Sequence, residues 1–194
     1  MSNQVETSVE VQLTNRNRTT VFWRGILVAP VVFFVASFSQ MVHVGWSSPI
    51  LAFPAALALI FRGVYPSYVL TFNHAVMELG SRVTAYMLLL TDDYPSIERN
   101  PNVAVIFPDI EGGKKLNRWL PLVKWFLAIP LYIVGAFYVL LSAILTFYAW
   151  IVTSATGNYP ESVAKFVLGT IEYWNRIYGY TIALVTDEYP SFVL

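Results

Sequence analysis

Two glutamate–arginine pairs, Glu78 with Arg82 and Glu172 with Arg176, stand four residues apart in otherwise apolar surroundings. On a helix this spacing stacks the side chains one turn apart, with the acid on the N-terminal side, the better orientation for an intrahelical ion pair. The chemistry open to such pairs is electrostatic: a polar path for a small ion, or a seat for a lipid headgroup, with Tyr86 and Tyr180 one turn further along. The structural alternative is that paired charges neutralise each other in an apolar setting and hold two segments in register. His43 and His74 are the only histidines. On facing helices two imidazoles could ligate haem or a metal, but no third ligand lies nearby, so the expectation is no cofactor. Asp92, Asp93, Asp187 and Glu188 end apolar runs, where a helix dipole disfavours negative charge. Bonds from Thr and Asp side chains to nearby backbone, a stop at Pro95 and Pro190, or basic residues of the central connection would offset that cost. The alternative, a divalent-cation site, lacks the spacing of a ligand loop. No glycine-rich phosphate loop, nucleophile elbow or zinc-binding helix pattern occurs. The absence of cysteine excludes disulfides, thiolate metal sites and cysteine nucleophiles. The chain reads as a non-enzyme.

What must position these groups is set by composition. The 194 residues are 56% hydrophobic and 12% charged, about half the charge fraction of an ordinary soluble domain. A net charge of zero leaves no basic field to hold nucleic acid. The bilayer is therefore the expected surroundings, and other membrane-protein subunits, or a second copy, the expected partners. The polar first twenty residues lead into an apolar stretch too long for a signal-peptide core, which reads as a retained anchor.

The sequence also repeats itself. Shifted by about 94 residues, Tyr65–Ser96 falls on Tyr159–Ser191, with one extra residue in the second copy. Tyr65/Tyr159, Pro66/Pro160, Phe72/Phe166, Glu78/Glu172, Arg82/Arg176 and Tyr86/Tyr180 coincide, and His74 faces Leu168. Both copies close on Thr-Asp-x-Tyr-Pro-Ser, at Thr91–Ser96 and Thr186–Ser191. Upstream, Arg24–Pro30 matches Lys124–Pro130 in its cation, leucine and proline. Val9–Leu13 and Val103–Phe107 alternate with period two, as a short strand does. Each copy then reads as strand, long apolar helix, Tyr-Pro turn and second helix. The first helices, roughly Val21–His43 and Pro130–Thr153, exceed the ~20 residues needed to cross a bilayer. Gly45, Ser47, Ser48 and Pro49 interrupt the first copy, so 51–61 stands as a separate short segment. In 116–129 tryptophans and cations mix with leucines, as in a piece lying at the membrane interface. The second helices, from Tyr68 to Leu90 and its counterpart, carry polar stripes and either cross with the stripe inward or lie on the surface.

In the second copy, the stretch Arg118–Val134 (RWLPLVKWFLAIPLYIV), a Tyr-Pro turn, a Glu/Arg-bearing helix and the ending TDEYPSF resemble a group of bacterial membrane domains, common in actinobacteria, known only as a domain of unknown function. The resemblance covers nearly all of the second copy and, less fully, the first, which departs at HVGWSS. It implies location and architecture and brings no activity, cofactor or catalytic residue.

The resulting expectation is an all-α integral membrane protein of the bacterial cytoplasmic membrane. Residues 1–8 form a flexible tail, 9–96 the first repeat, 97–102 a linker and 103–194 the second repeat. Cations cluster at the N-terminus and central connection, which by the positive-inside rule places both termini in the cytoplasm. That favours four crossings in two parallel repeats, with the strands paired as a cytoplasmic ribbon. In function, the expectation is a non-catalytic accessory or scaffold subunit; the alternative is a small transporter or lipid-handling protein using the Glu/Arg residues as one polar site between the repeats.

Overall fold

The computed structural model describes residues 3–37, 51–98 and 101–194. Two short strands, β1 (Glu6–Val9) and β2 (Val103–Ile106), form an antiparallel ribbon that pairs Glu6 with Ile106 and Val9 with Val103. The pairing of the two halves' strands is as the alternating pattern predicts, but β1 lies earlier than Val9–Leu13. The reason is competition for the backbone: beyond Val9, the Gln12 amide bonds Leu90 O at 2.9 Å and Leu13 O accepts from the Tyr159 amide at 2.8 Å. Those groups have left the ladder. The expected tail is corrected too, since residues 6–8 are strand and Val5 is buried at 2% exposure.

The apolar stretch after the first strand is a series of short helices, α1 (Arg18–Phe22), α2 (Arg24–Leu27) and α3 (Ala29–Ser37). Pro30 has no amide to give to Ile26 O, which favours a break before α3. The Val21–His43 helix is thus interrupted, and its last part lies outside the described residues. Then come α4 (Ala52–Arg62), the separate short segment anticipated after Pro49, and α5 (Ser67–Met87). In the second half, a 3-10 turn at Leu120–Leu122 and the short α6 (Lys124–Leu127) precede α7 (Ile129–Thr156) and α8 (Glu161–Thr181). Pro130 again sits at the start of the long helix, where its missing N–H costs nothing. Gly63 and Gly157, φ 62° and 76°, end α4 and α7 in the left-handed conformation that glycine adopts freely. After α5 and α8 the left-handed position is taken by leucines instead, Leu89 (φ 64°) and Leu184 (φ 57°). Both are 2% exposed or less, and burying a leucine, worth about 1.5–3 kcal/mol, outweighs the roughly 1–2 kcal/mol of that backbone.

The α5 and α8 helices are the centre of the fold, and they run antiparallel. Tyr65, just before α5, donates to Ala183 O just after α8 at 2.6 Å, and Tyr159, just before α8, donates to Leu88 O just after α5 at 3.2 Å. Between them Asn175 Nδ2 donates to Ser81 Oγ at 2.9 Å. The α7 helix folds back along α8 as a hairpin: Ser142 bonds Thr170 at 2.8 Å and Tyr173 donates to Leu131 O at 2.9 Å. The ribbon lies on the other side. Asn175 and Gly179 meet β1 and Val5, whereas Thr170, Tyr173 and Ile177 meet α7. At 3.6 residues per turn these two sets point to opposite faces of α8. The molecule therefore has three layers: the ribbon, the α5/α8 pair, and the apolar helices α3, α4 and α7. The core fills the spaces between layers, as where Leu59, Tyr65, Val69 and Val105 pack together.

Two expectations change here. Parallel repeats with four crossings require α5 and α8 to cross in the same direction, and they run oppositely. Among the described residues only α7 is long and apolar enough to cross a membrane, and just 17% of its most apolar window is buried.

Candidate functional site

The charged groups converge at two places, and neither is the site expected between the repeats. At the end of α5, Asp92 of the first Thr-Asp-x-Tyr-Pro motif is held by two arginines. Arg16 Nη2 lies 2.8 Å from Asp92 Oδ1, and the Arg24 guanidinium pairs with the same oxygen. Arg16 also donates to Gln12 O (2.8 Å) and Leu89 O (2.7 Å), and Arg24 to Thr91 O (2.8 Å). These carbonyls belong to the α5 end or lie beside it, where the helix dipole is negative and cations are favoured. Arg24 lies over the Tyr86 ring, 3.9 Å from its centroid, and Tyr94 packs edge-on against Tyr86. The Asn17 amide donates to Asp92 Oδ2 at 2.9 Å, while Asn17 Oδ1 caps α1 through the amides of Thr19 and Thr20.

The end of α8 carries the counterpart. Lys124 Nζ stands 2.7 Å from Asp187 Oδ1 and donates to Thr186 O at 2.7 Å. Its ammonium lies 4.9 Å from the Tyr180 ring centroid, and Tyr189 packs edge-on against Tyr180. The Asn117 amide donates to Asp187 Oδ2, and Asn117 Oδ1 accepts from the Trp119 amide at 2.9 Å. Arg24 and Lys124 are nearly closed off, 3% and 1% exposed. Burial pulls the Lys124 amine below its usual range, with Asp187 offsetting only part of this. Burial pushes the Asp92 carboxyl up, but Arg16, the Asn17 amide and the charge of Arg24 outweigh it and hold the group below its ordinary value.

The Glu/Arg residues do not form one cluster. Glu78 and Arg82 make a buried ion pair at 3.1 Å, and Arg82 turns to the carbonyls of Ser96 and Glu98 in the tail that follows α5. Arg176 turns to Val193 O in the tail that follows α8. No ion pair within 4 Å joins Glu172 to Arg176 among the described residues. Each pair thus faces its own tail, and Tyr86 and Tyr180 belong to the carboxylate clusters instead. His74 Nε2 donates to Val105 O at 2.6 Å, with its ring edge-on to Phe107, so this histidine fixes the ribbon to α5. His43 lies outside the described residues. The candidate cation carboxylates are engaged elsewhere. Asp92 and Asp187 face protein cations, Asp93 accepts from Asn102 at 2.7 Å, and Glu188 accepts from the Asn3 amide at 2.8 Å. Among the described residues no group of three or more such ligands could hold a metal.

Lys124 is a basic residue of the central connection, as offered for these carboxylates, whereas the pairing of Arg16 and Arg24 with Asp92 was missed. Arg24 and Lys124 coincide in the repeat, and that coincidence was the available signal. Arg16 carried none, because the second half has Leu116 at the corresponding place. Beside Arg24 an apolar groove opens between α2 and α7, walled by Phe22, Met87, Phe147 and Trp150.

A protein-family model described as "Domain of unknown function (DUF4389)" matches residues 119–193, which hold α6, α7, α8 and the Lys124–Asp187 cluster. No curated protein and no solved structure matches the chain. The second half is thus similar to a domain to which no activity is attached.

Proposed function

We propose that the chain is a membrane-embedded, non-catalytic accessory or scaffold subunit, built from two related halves and working within a larger assembly of a bacterial cytoplasmic membrane. The observation that carries this reading is the contrast between its polar and apolar groups. Asp92 and Asp187, the carboxylates best placed for chemistry, are each paired with a buried cation that lies against a tyrosine ring, and each accepts from a backbone amide. The α7 helix meanwhile turns Ile133, Phe137, Leu140, Ile144, Phe147 and Ile151 outward, all at least half exposed. A surface of that kind needs lipid or a protein partner. The recurrence of cation, carboxylate, edge-on tyrosine pair, asparagine amide and left-handed leucine in both halves supports the internal repeat. The exposed cations Arg18, Lys114, Lys115 and Arg118 support a cytoplasmic face for the N-terminus and the central connection.

The reading predicts that the tagged chain, produced at native level and extracted in a mild detergent, migrates with another integral membrane protein at fixed stoichiometry. Recovery of the chain as a monomer, with the same amount crosslinked to no neighbour in intact membranes, would overturn it.

A further inference from the structure

The layer order fixes how this molecule can sit in a bilayer. Suppose that α7 stood across the membrane. The α8 helix, packed along it, would also cross, and α5, antiparallel to α8, would cross beside them. The ribbon is seated on the middle of that pair, through Asn175 Nδ2 to Thr7 Oγ1 at 2.9 Å, His74 Nε2 to Val105 O at 2.6 Å, and Val5 against Gly179. It would then lie at mid-depth, with the open edges of a two-stranded sheet and the exposed carboxylates Glu6 and Glu10 in hydrocarbon. Hydrocarbon satisfies neither: open sheet edges do not occur facing lipid, and a charge at the bilayer centre costs several kcal/mol.

Turning the molecule by a quarter removes both conflicts. The ribbon then faces water, and α3, α4 and α7 form the lowest layer. That layer is built for lipid: Phe33, Phe61, Phe137 and Phe147 are 63–77% exposed, and α7 has no charged residue along its 28 positions. Its buried positions form one narrow stripe, Leu131, Gly135, Ser142, Ala149 and Thr153, which faces α8. The C-terminal ends of α7 and α4 each carry an exposed cation. Arg18 donates to Thr156 O at the end of α7, and the Arg118 guanidinium lies over Gly63 at the end of α4. In this orientation those cations sit level with the lipid headgroups.

We infer that the chain is seated in a single leaflet with its long helices in the membrane plane, the acyl chains covering α3, α4 and α7 and the β-ribbon standing in water. This rests on the membrane reading above and replaces the crossings by an in-plane seat. The two halves then enter the leaflet in the same sense, because the approximate twofold axis implied by the Ser81–Asn175 and Val9–Val103 pairs runs along the membrane normal.

The absence of cysteine makes the test clean. Single variants Lys115→Cys and Glu161→Cys, flanking the two ends of α7, are treated with a membrane-impermeant maleimide in spheroplasts and in inverted vesicles. Spin labels at Ile133→Cys, Leu140→Cys and Phe147→Cys, in vesicles of phosphatidylethanolamine and phosphatidylglycerol, report depth from collisions with oxygen against a water-soluble nickel chelate. The expected result is labelling of 115 and 161 from one side only, and the same depth at 133, 140 and 147 within a few Å. Labelling from opposite sides, with 140 about 10 Å deeper than the other two, would overturn the in-plane seat and leave the membrane reading standing. Spin labels reached by neither probe would mean that protein covers α7, and the lipid assignment would fall. Spin labels reached by the nickel chelate, on a chain that stays in solution when mixed with the same vesicles, would overturn the membrane reading itself.

Discussion

The two ends of the central helix pair solve one electrostatic problem with different side chains. At the α5 end two guanidiniums share the single carboxylate of Asp92; at the α8 end one ammonium meets Asp187. Leu116, 8% exposed, packs in the apolar core near Tyr65 at the place that Arg16 fills in the first half. The surplus positive charge of the first cluster is tolerable because it points at helix-end carbonyls, Leu89 O and Thr91 O among them. The comparison separates what the architecture demands from what it permits. Both ends require a cation at the helix terminus, a carboxylate and a tyrosine face. The number of cations is free, and so is their type. Type still has a consequence, since arginine stays protonated whereas a buried lysine can release its proton.

The largest predicted effect follows from that difference. Asp92→Asn strands two buried guanidiniums that cannot discharge, and losing one partner of a buried pair costs about 3–5 kcal/mol. Asp187→Asn strands only Lys124, whose amine burial already pulls below its usual range. Its loss of proton limits the cost to about 1–3 kcal/mol, the penalty for an unsatisfied buried polar group. Urea midpoints of the two variants in one detergent check the order. Equal losses would show that the lysine keeps its charge and that the two ends respond alike.

A smaller contrast lies in the tyrosines that tie each half to the other. Tyr65 donates to Ala183 O at 2.6 Å and accepts from Asn73 Nδ2 at 3.1 Å, whereas the bond from Tyr159 to Leu88 O is longer, 3.2 Å. Tyr65→Phe leaves a buried carbonyl and an amide short of a partner, and is expected to cost about 1–3 kcal/mol; Tyr159→Phe is expected to cost about 1 kcal/mol. The same unfolding measurement decides, and a reversed order would show that the tie at the α5 end is the stronger one.

These distinctions mark how far the sequence could be read. The second strand, the start of α5 and the separate segment after Pro49 were legible because local pattern carries them: period-two alternation, a Tyr-Pro start and a short apolar run after a proline. The direction of α8 relative to α5 was not, because the same amphipathic stripe suits parallel and antiparallel packing. For the same reason Glu78, Arg82, Glu172 and Arg176 looked like one cluster. Aligned in register they seem to meet, but antiparallel helices bring together only the residues beside the axis, Ser81 and Asn175, and leave the charged pairs to their own tails. The early start of β1 was hidden as well, since Val11 and Leu13 alternate as a strand would while the Gln12 amide bonds Leu90 O and Leu13 O accepts from the Tyr159 amide.

Alkali should sharpen the comparison between the clusters further. The Lys124 amine titrates lower in the folded chain than its ordinary value of 10.5. Between the two values the unfolded chain binds more protons, so stability contributed by this group rises as pH increases toward 10.5. The slope has the same sign for Asp92, whose carboxyl lies below 3.8 in the fold, but it falls in an acid window. Its contribution is complete above that value and is lost as pH falls through the folded one. Lys124→Arg should abolish the alkaline rise while leaving the acid limb unchanged. Midpoints at pH 8 and 10 for both chains test this, and an alkaline rise that persists in the arginine variant would assign it to another group.

The smallest expected effect belongs to the Glu/Arg pairs. Glu78 and Arg82 form a buried ion pair, and replacing a buried pair by uncharged groups of similar volume is often neutral, within about 1 kcal/mol, because the desolvation of both charges is relieved together. The double change Glu78→Gln with Arg82→Met should therefore leave the midpoint nearly unmoved, while Arg82→Met alone, which isolates Glu78, should lower it clearly. The second half sharpens this. Arg176 makes its bond to Val193 O and no ion pair with Glu172, so Arg176→Met should cost less than Arg82→Met, and adding Glu172→Gln should recover little. A recovery as large in the second pair as in the first would mean that Glu172 and Arg176 close into an ion pair of their own. A double change in the first pair that destabilises as strongly as the single one would give Arg82's bonds to Ser96 O and Glu98 O, and not the pair with Glu78, the larger share in holding the tail after α5.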